Sequence, residues 1–370
     1  MSPELLSLPR RVLMTLDAVG GVWRYALDLA RGLSERGVEV VLVGLGPHPS
    51  RDQQAELETI HHKKVFWLDE PLDWMAGGDA DLRPLRERLL RIVEDQGVEL
   101  LHLNLPSQAH GLNLPHPIVV VSHSCVVTWW KAVQRTPLPA DLRWQHGAHL
   151  LGFRRTDLIL APSRSHAGAL VRAYGPLEGL RVLHNASSHE AQDLPKAPFV
   201  LGVARWWDEG KNARVLDAAA AGAPWPVLLA GPTAGPNAQS VSLRYAQSLG
   251  KRSAADVSAL MERAAIFAAP SRYEPFGLAV LEAALRGAAL LLADIPTFRE
   301  LWSGAALFAD PEDPSAWTDA LHRLARDGEQ RVLLGRLARG RAERFSQQRQ
   351  LEGILETYRE ASLVAARRAA

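Results

Sequence analysis

The sequence predicts an α/β protein made of two Rossmann-like, doubly wound domains. The chain has 370 residues, which exceeds the usual size of one domain and favours two domains of roughly 150–200 residues each. Short apolar segments alternate with longer amphipathic ones in both halves, as is typical of parallel strands joined by helices. A polar stretch, SSHEAQDLPKAP, interrupts this alternation at residues 187–198. We therefore predict a first domain at residues 1–188 and a second at residues 189–345.

In the first domain, the predicted strands are short runs of Val, Leu and Ile, which suit burial on both faces of a parallel sheet. They lie at residues 11–16, 38–46, 98–105, 117–124, 156–163 and 181–185. The predicted helices have apolar residues at every third or fourth position. They lie at residues 22–36, 81–96 and 141–154, with a further helix before the last strand.

The same pattern returns in the second domain. Its predicted strands lie at residues 199–205, 226–232, 264–271, 289–295 and 306–308. Its predicted helices lie at residues 211–222, 238–248, 254–263, 278–286 and 314–327. After Asp327 the chain is rich in arginine and alanine, and we predict helix with its basic residues on a solvated face.

Charge and cysteine content limit the classes of function. The 42 basic and 41 acidic residues give a net charge of +1, so nothing attracts the whole chain to nucleic acid. The single cysteine, Cys125, excludes an intramolecular disulfide and a cysteine-cluster metal site. Any site for an anion must therefore be local.

The sequence shows no targeting or membrane-spanning segment that we recognise. The first residues lack a basic segment followed by a continuous apolar core, unlike a signal peptide. Residues 218–243 are uncharged and long enough to span a bilayer, but prolines and glycines divide them into a helix end, a strand and a loop. We expect a cytoplasmic protein without a transmembrane span, and peripheral contact with a membrane surface stays open.

Two glutamates stand in an otherwise apolar region, SRYEPFGLAVLEAALRG, at residues 271–287. Glu274 lies in the loop after a predicted strand, and Glu282 lies on the helix that follows Phe276-Gly277. Carboxylates are costly to bury unless hydrogen bonds replace their hydration. Ligands of α/β sheets bind beyond the strand ends, where helix N-termini favour anions. A phosphorylated sugar would suit this corner, because its hydroxyls could donate to the two carboxylates and its phosphate could face the backbone amides. An exposed Glu274 and a core salt bridge at Glu282 would be the structural alternative.

Each domain carries a further motif after its first strand. Gly20-Gly21 opens a helix in VGGVWRY, and that helix N-terminus can face a diphosphate. Arg205 and Lys211 follow the strand in GVARWWDEGKN, where two cations could converge on a diphosphate. Close helix packing would also explain the glycines, and simple surface exposure would explain the cations.

A histidine ends a strand of the first domain in VVVSHSC, at His123. A structural role is the usual one for a lone histidine. Trp129 and Trp130 follow it and could stack on a sugar ring, although packing in the core would also explain them.

Together, the four motifs resemble those of the retaining nucleotide-sugar glycosyltransferases of family 4, which have the two-domain GT-B fold. The resemblance spans residues 11–345. It implies two Rossmann-like domains that face each other across a cleft. It also implies a C-terminal helix, residues 346–370, that crosses back to the first domain.

The resemblance also implies roles for individual residues. Arg205 and Lys211 would stabilise the leaving diphosphate, Glu274 and His123 would contact the donor sugar, and Glu282 would bind the ribose hydroxyls. The remaining donor-site residues would contribute backbone groups; they are Gly20, Gly21, Phe276, Gly277 and Leu278. The chain departs from the family pattern at ADIPTFREL, where a glycine-rich turn is usual, and at Asn185-Ala186, where Asn-Gly is usual.

The implied activity is transfer of a sugar from a nucleoside diphosphate sugar, most typically of UDP or GDP, to a hydroxyl of a glycan, a lipid-linked saccharide or a small molecule. The sequence identifies no nucleophile for the far face of the sugar, so we expect same-face retention. We expect no cofactor and no metal, because the Asp, Glu and His residues show no metal-ligand spacing. A GT-B-type sugar-nucleotide epimerase and a non-catalytic nucleotide-sugar-binding scaffold are the alternatives.

Overall fold

A computed structural model describes residues 8–187, 194–236 and 238–369 of the chain. The chain divides into two compact units. The first unit comprises Met1–Lys131, Thr136–Asn185 and Gln347–Ala370. The second unit comprises Ala132–Arg135 and Ala186–Ser346. The domain boundary that we predicted between residues 188 and 189 lies outside the described residues.

The first unit has a seven-stranded parallel sheet. Its strands are β1 (Arg11–Asp17), β2 (Glu39–Leu45), β3 (Lys63–Trp67), β4 (Leu100–Leu103), β5 (Ile118–Val121), β6 (Leu158–Ala161) and β7 (Leu180–Val182). They are arranged in the order β3-β2-β1-β4-β5-β6-β7. The chain builds outward from β1 to β3 and then outward from β4 to β7, so the strand order reverses between β1 and β4.

Helices cover the first sheet. They are α1 (Gly21–Glu35), α2 (Arg51–Glu58), α3 (Arg83–Gln96), α4 (Val126–Val133), α5 (Arg143–Arg155), α6 (Arg164–Tyr174) and α13 (Gln347–Ala369); the last two residues of α4 fall in the second unit. Alternate residues of β1 face opposite cores: Met14 packs with α1 and α13, and Leu13 packs with α3 and α6. Burial on both faces explains why the central strands are continuously apolar.

Helix α13 is fixed to the first unit by packing and by buried hydrogen bonds. Leu351 lies against Gly32 of α1, and Ile354 and Tyr358 are fully buried. The Tyr358 hydroxyl lies 3.0 Å from Nδ1 of His102 on β4, and the Tyr25 hydroxyl of α1 lies 3.2 Å from Nε2. Burial lowers the pKa of His102 to about 3, so the neutral ring offers one donor and one acceptor to the two hydroxyls.

The second unit has a six-stranded parallel sheet. Its strands are β8 (Ala197–Val203), β9 (Val227–Ala230), β10 (Gln247–Gly250), β11 (Ala264–Ala269), β12 (Ala289–Ala293) and β13 (Ala306–Ala309). They are arranged in the order β10-β9-β8-β11-β12-β13, which reverses between β8 and β11. Its helices are α7 (Ala213–Ala220), α8 (Ala254–Arg263), α9 (Leu278–Leu285), α10 (Pro296–Trp302), α11 (Pro314–Arg326) and α12 (Gly328–Ala342).

Buried tryptophans anchor the core of the second unit. Trp206, Trp302 and Trp317 are each at most 2% exposed. The indole N–H of Trp206 donates to the Ala230 carbonyl at 3.0 Å, and that of Trp317 donates to the Asp310 carbonyl at 2.9 Å. Both units therefore have the parallel, doubly wound sheets that the sequence predicts, and the predicted C-terminal helix is present.

The helix predicted at residues 238–248 is wrong. Residues 241–246 are irregular, and the edge strand β10 begins at Gln247. The carboxylate of Asp217 accepts the backbone N–H groups of Arg244, Tyr245 and Ala246 at 2.8 to 3.0 Å. These bonds hold the amides toward α7, and an α-helix would have pointed them along its own axis.

Several short elements escaped the sequence analysis. Edge strand β3 is half-exposed and carries two lysines, so it lacks the continuous apolar character of the central strands. Helix α10 has only seven residues, with Pro296 at its first position. The helices α2 and α4 are short as well, with eight residues each.

Candidate active site

The predicted charged residues of the second unit follow the two strands between which the sheet order reverses. Arg205 and Lys211 lie beyond the end of β8, and Glu274 lies beyond the end of β11. These strands are neighbours in the sheet, so their carboxyl ends meet at one edge. This is the topological switch point, where ligands bind in open α/β sheets.

Lys211 and Glu274 form an ion pair at this edge. The Lys211 ammonium donates to a Glu274 carboxylate oxygen at 2.6 Å, and the two side chains are 16% and 17% exposed. The loops that carry them are also joined through the backbone, because the Arg272 N–H donates to the Gly210 carbonyl at 2.9 Å. The structure thus brings together two residues that are 63 positions apart.

Asn212 holds the Lys211 loop in place, and the sequence analysis assigned it no role. Its backbone is left-handed, with φ of 57°, a conformation that asparagine tolerates better than most residues. Its side-chain amide donates to the carbonyls of Pro270 at 3.0 Å and Pro311 at 2.7 Å. The one signal in the sequence was an asparagine directly before a helix.

Arg205 makes its side-chain contacts with residues of its own loop. Its guanidinium sits over the ring of Trp207, 5.4 Å from the ring centroid, and 3.6 Å from the Asp208 carboxylate. The side chain is 36% exposed. Trp207 and Asp208 therefore both contact the charged end of Arg205, which stays partly exposed to solvent.

Helix α9 begins directly after the Glu274 loop. Phe276 is buried, with its ring edge-on to Phe345 at 5.5 Å. Gly277 has φ of +94° and precedes Leu278, the first residue of α9. Only glycine adopts this conformation readily, so Gly277 sets the turn from loop to helix.

Glu282 is half-buried and lies one turn into α9. Its backbone carbonyl accepts a hydrogen bond from Arg286 at 2.9 Å. The Arg286 guanidinium forms an ion pair with Glu262 at 3.1 Å, and both of these side chains are buried. Glu282 also acts electrostatically on Arg286, so Arg286 interacts with both glutamates.

In the first unit, the predicted glycines lie at the start of α1. Gly20 is the residue before the helix and Gly21 is its first residue. Gly20 has φ of −149°, which residues with side chains also adopt, so no left-handed turn explains it. The turn is closed by Asp17, whose carboxylate accepts the Val19 N–H at 2.8 Å.

His123 is half-buried beyond the end of β5. Its Nε2 lies 2.9 Å from Oδ1 of Asn104, and its ring is edge-on to Tyr25 of α1 at 4.5 Å. Burial, with smaller effects from His102 and His166, lowers the pKa of His123 to about 3. The ring is therefore neutral at physiological pH. Asn104 follows β4, and the sequence analysis missed it because a lone asparagine after a strand is a common turn residue.

Trp129 and Trp130 lie on α4, and both are half-buried. Their ring centroids are 6.1 Å apart, and the Trp130 indole N–H donates to the Thr136 hydroxyl at 3.1 Å. Each ring is thus partly packed and partly open to solvent.

Within the described ranges, the structure contains no group of three or more His, Cys, Asp and Glu side chains that could hold a metal ion. No helix in that part of the chain is both long and apolar enough to cross a lipid bilayer.

Two protein-family models match the chain. The model of Glycosyltransferase Family 4 matches residues 19–190, and that of Glycosyl transferases group 1 matches residues 199–341. The D-inositol 3-phosphate glycosyltransferase of Salinispora tropica is 29% identical over 92% of this chain and 81% of its own length. That of Corynebacterium urealyticum is 30% identical over 31% of this chain, and the match spans only 28% of that protein.

Solved structures with the same fold include sucrose-phosphate synthase from Thermosynechococcus elongatus. It superposes with a TM-score of 0.80 at 18% identity and covers 96% of this chain and 100% of its own. The Anabaena protein HepE, solved in complex with UDP and glucose, gives a TM-score of 0.72 at 18% identity and covers 94% of this chain and 99% of its own. These likenesses show the fold that the chain adopts.

Proposed function

This chain belongs to glycosyltransferase family 4, and from that premise we propose that it moves a sugar from a nucleoside diphosphate sugar to a hydroxyl acceptor, with retention and without a metal ion. The GT-B fold and the glycosyltransferase class follow from the family. The donor, the acceptor, the stereochemistry and the metal independence are our proposal.

The ion pair between Lys211 and Glu274 is the observation that carries this proposal. It places a cation and a carboxylate 2.6 Å apart at the switch point of the second sheet. An ammonium has three N–H donors, so Lys211 can keep its bond to Glu274 and still bind a diphosphate oxygen. Glu274 has a second oxygen, which can accept a hydrogen bond from a sugar hydroxyl.

The proposed chemistry depends on the leaving group. Lys211 and Arg205 would stabilise the charge that develops on the diphosphate as the anomeric bond breaks. The acceptor hydroxyl would attack the same face of the sugar, and a leaving-phosphate oxygen would take its proton. An inverted product, or a covalent sugar–enzyme adduct detected by mass spectrometry, would contradict this mechanism.

The names of similar proteins support particular substrates for this chain. HepE has been solved with UDP-glucose, which supports a donor whose nucleotide is UDP. The curated relative from Salinispora tropica is named for D-inositol 3-phosphate, which supports a small-molecule acceptor. His123 remains our candidate partner for a hydroxyl of the transferred sugar, Glu282 our candidate for the ribose, and Trp129 and Trp130 our candidates for the acceptor.

The first test is a thermal-shift panel with UDP, GDP, ADP, TDP and CMP, followed by the sugar conjugates of whichever nucleotide binds. A ligand that binds only the folded state raises the melting temperature by mass action. We expect one nucleoside diphosphate to stabilise the wild type, and Glu282→Ala and the double variant Arg205→Ala/Lys211→Ala to lose most of that shift.

Arg214→Ala is the matched control, because it removes an exposed cation from the same helix that follows Lys211. It should keep the shift. If no nucleotide stabilises the wild type at millimolar concentration, the proposed donor site is wrong. If EDTA abolishes transfer, the metal independence is wrong.

A further inference from the structure

A network of buried hydrogen bonds runs from β1, at the switch point of the first sheet, to His123. The Thr15 hydroxyl donates to Oε1 of Gln108 at 2.7 Å and accepts the Asn104 N–H at 2.8 Å. The Asn104 side-chain amide donates to the Thr15 backbone carbonyl at 2.5 Å. Its Oδ1 lies 2.9 Å from His123 Nε2, and Asn104 itself is only 2% exposed.

This hydrogen-bond network fixes the orientation of the Asn104 amide. The Thr15 carbonyl can only accept a hydrogen bond, so the atom of Asn104 that faces it must be the NH₂ nitrogen. The oxygen of the same amide must then face His123. The orientation follows from the hydrogen-bonding chemistry of the two partners alone.

The orientation of Asn104 in turn fixes the tautomer of His123. An amide oxygen only accepts, so the hydrogen between the two residues must belong to Nε2 of His123. Because the ring is neutral, Nδ1 then carries a lone pair and no hydrogen. Among the described residues, Nδ1 makes no hydrogen bond, and it is not one of the enclosed side-chain atoms that lack a partner, so a ligand can reach it.

The ring is also held against rotation. Tyr25 of α1 contacts it edge-on at 4.5 Å, and the Tyr25 hydroxyl is bonded to His102 of β4. The titratable groups that face His123 are therefore Tyr25, His102 and His166 of α6, and all three stay uncharged at neutral pH: burial raises the pKa of Tyr25 and lowers the pKa values of His102 and His166. Among the described residues, no carboxylate contributes to the pKa of this ring.

We propose that Asn104 is a positioning residue that presents Nδ1 of His123 as a hydrogen-bond acceptor, so that this position binds a hydroxyl of a neutral sugar and disfavours a carboxylate or a phosphate. A hydroxyl can donate to the lone pair of Nδ1, whereas an anionic oxygen would face it without a hydrogen between them. The identity of the ligand as the transferred sugar rests on the proposed function, and the tautomer does not.

The tautomer can be measured without any substrate. In protein labelled with ¹⁵N-histidine, long-range ¹H–¹⁵N correlation spectra distinguish protonated from unprotonated ring nitrogens. The chain has 13 histidines, so His123→Gln identifies the signal by its loss. We expect hydrogen on Nε2 and none on Nδ1 from pH 6 to pH 8. A protonated Nδ1, or a mixture of tautomers, would overturn the assignment.

Two variants then test the role of Asn104. Asn104→Ala removes the oxygen that selects the tautomer, so we expect both tautomers to appear. Asn104→Asp places a carboxylate beside Nε2, so we expect the ring to take a proton at Nδ1 near neutral pH. Thr15→Val is the matched control. It removes two hydrogen bonds of the same network but keeps the backbone carbonyl that orients Asn104. It should therefore lower stability and leave the tautomer unchanged.

Binding tests the choice of ligand. We expect Asn104→Ala to bind UDP as the wild type does and to bind UDP-glucose roughly threefold to tenfold more weakly, the value of one hydrogen bond. Deoxyfluoro analogues of UDP-glucose sharpen this, because fluorine cannot donate. One position should weaken binding to the wild type and have a smaller effect in Asn104→Ala.

The failures can be told apart. If UDP-glucose and UDP both fail to bind the wild type, the proposed function fails for this donor, and the spectra still decide the tautomer. If the tautomer is as expected but Asn104→Ala binds UDP-glucose as tightly as the wild type, the positioning role is wrong.

Discussion

Asn212 shows how a residue without a charge can organise a charged site. Its two amide hydrogens bind the carbonyls of Pro270 and Pro311, and its left-handed backbone ends the short turn that carries Lys211. Two requirements therefore meet at one position: a side chain that donates twice and a backbone with positive φ. Asparagine is the residue that satisfies both at the lowest cost.

Substitutions at Asn212 should separate these two requirements. Asn212→Gly keeps the backbone conformation but leaves two buried carbonyls without their donors, so we expect a loss of about 1–3 kcal/mol in the free energy of unfolding. Asn212→Ala adds the strain of a left-handed alanine, about 1 kcal/mol more. Urea unfolding should therefore rank the wild type above the glycine variant and the glycine variant above the alanine variant. An alanine variant at least as stable as the glycine variant would contradict the backbone argument.

That Lys211 and Glu274 belong to a ligand site could be predicted from the sequence, but that they pair with each other could not. Lys211 and Glu274 stand in motifs that mark strand ends, which indicated that a ligand site was near. That they pair with each other depends on β8 and β11 being neighbours, and strand order is set by packing of the whole sheet. Asn104 and Asn212 act through backbone carbonyls, and carbonyls leave no mark in a sequence.

At the scale of elements, helix α12 contains three glycines, and two of them, Gly335 and Gly340, lie in opposite environments. A Cβ at Gly335 would overlap the backbone carbonyl of Gly287, at the contact between α12 and the end of α9. A Cβ at Gly340 would meet nothing within 4 Å. Only Gly335 is therefore required by packing.

Alanine substitutions on α12 should have opposite signs. Gly335→Ala forces the helix away from α9, which we expect to cost about 1–3 kcal/mol. Gly340→Ala improves helix propensity and should stabilise by up to ~1 kcal/mol. The unfolding transition of the second unit, followed by urea denaturation, measures both.

Helix α5 of the first unit offers an independent repeat of this contrast. Gly152 faces the Pro106 carbonyl, where a Cβ would overlap it, and Gly147 faces open space. If the two alanine variants of either helix shift stability in the same direction, close backbone approach is not what selects the glycine.

The elements also show which parts of the fold local sequence patterns predict and which they do not. The central strands were predicted because burial on both faces makes them continuously apolar. Residues 238–248 read as helix locally, yet Asp217 takes three successive amides of that segment and keeps it from forming helical bonds. A contact from another helix decides the outcome, and no local pattern contains it.

At the scale of the whole molecule, four histidines of the first unit have strongly shifted pKa values. Burial lowers the pKa values of His102 and His123 to about 3 and that of His166 to about 4. His149 differs: although burial opposes its charge, its hydrogen bond to the Asp73 carboxylate at 2.6 Å, aided by Cys125, raises its pKa to about 10. The second unit contains none of these four groups.

The stability of the first unit should therefore depend on pH on both sides of neutrality. Below about pH 6.5, His102, His123 and His166 bind protons in the unfolded chain but stay neutral in the folded one. Each therefore lowers the free energy of unfolding by up to ~1.4 kcal/mol per pH unit. The stability that these histidines provide is thus lost as pH falls from 6.5 toward 4. His149 acts in reverse: its contribution is complete below pH 6.5 and is lost as pH rises toward 10.

Hydrogen exchange with mass spectrometry, at a series of urea concentrations and pH values, follows the two units separately. We expect the first unit to be most stable near pH 6–7 and to unfold before the second unit at pH 4.5. Equal stability of the first unit at pH 4.5 and pH 7 would contradict the effect of the buried histidines.

The first unit is assembled from distant parts of the chain, and this has a consequence for biosynthesis. A ribosome finishes Ala186–Ser346 before it makes α13, so the second unit can fold while the first is still incomplete. Until α13 is synthesised, one apolar face beside α1 stays uncovered, and His102 has only the Tyr25 hydroxyl for its two nitrogens. The first unit therefore cannot be completed before α13 has been synthesised, and the nascent chain is open to chaperones and proteases at that face until helix α13 docks.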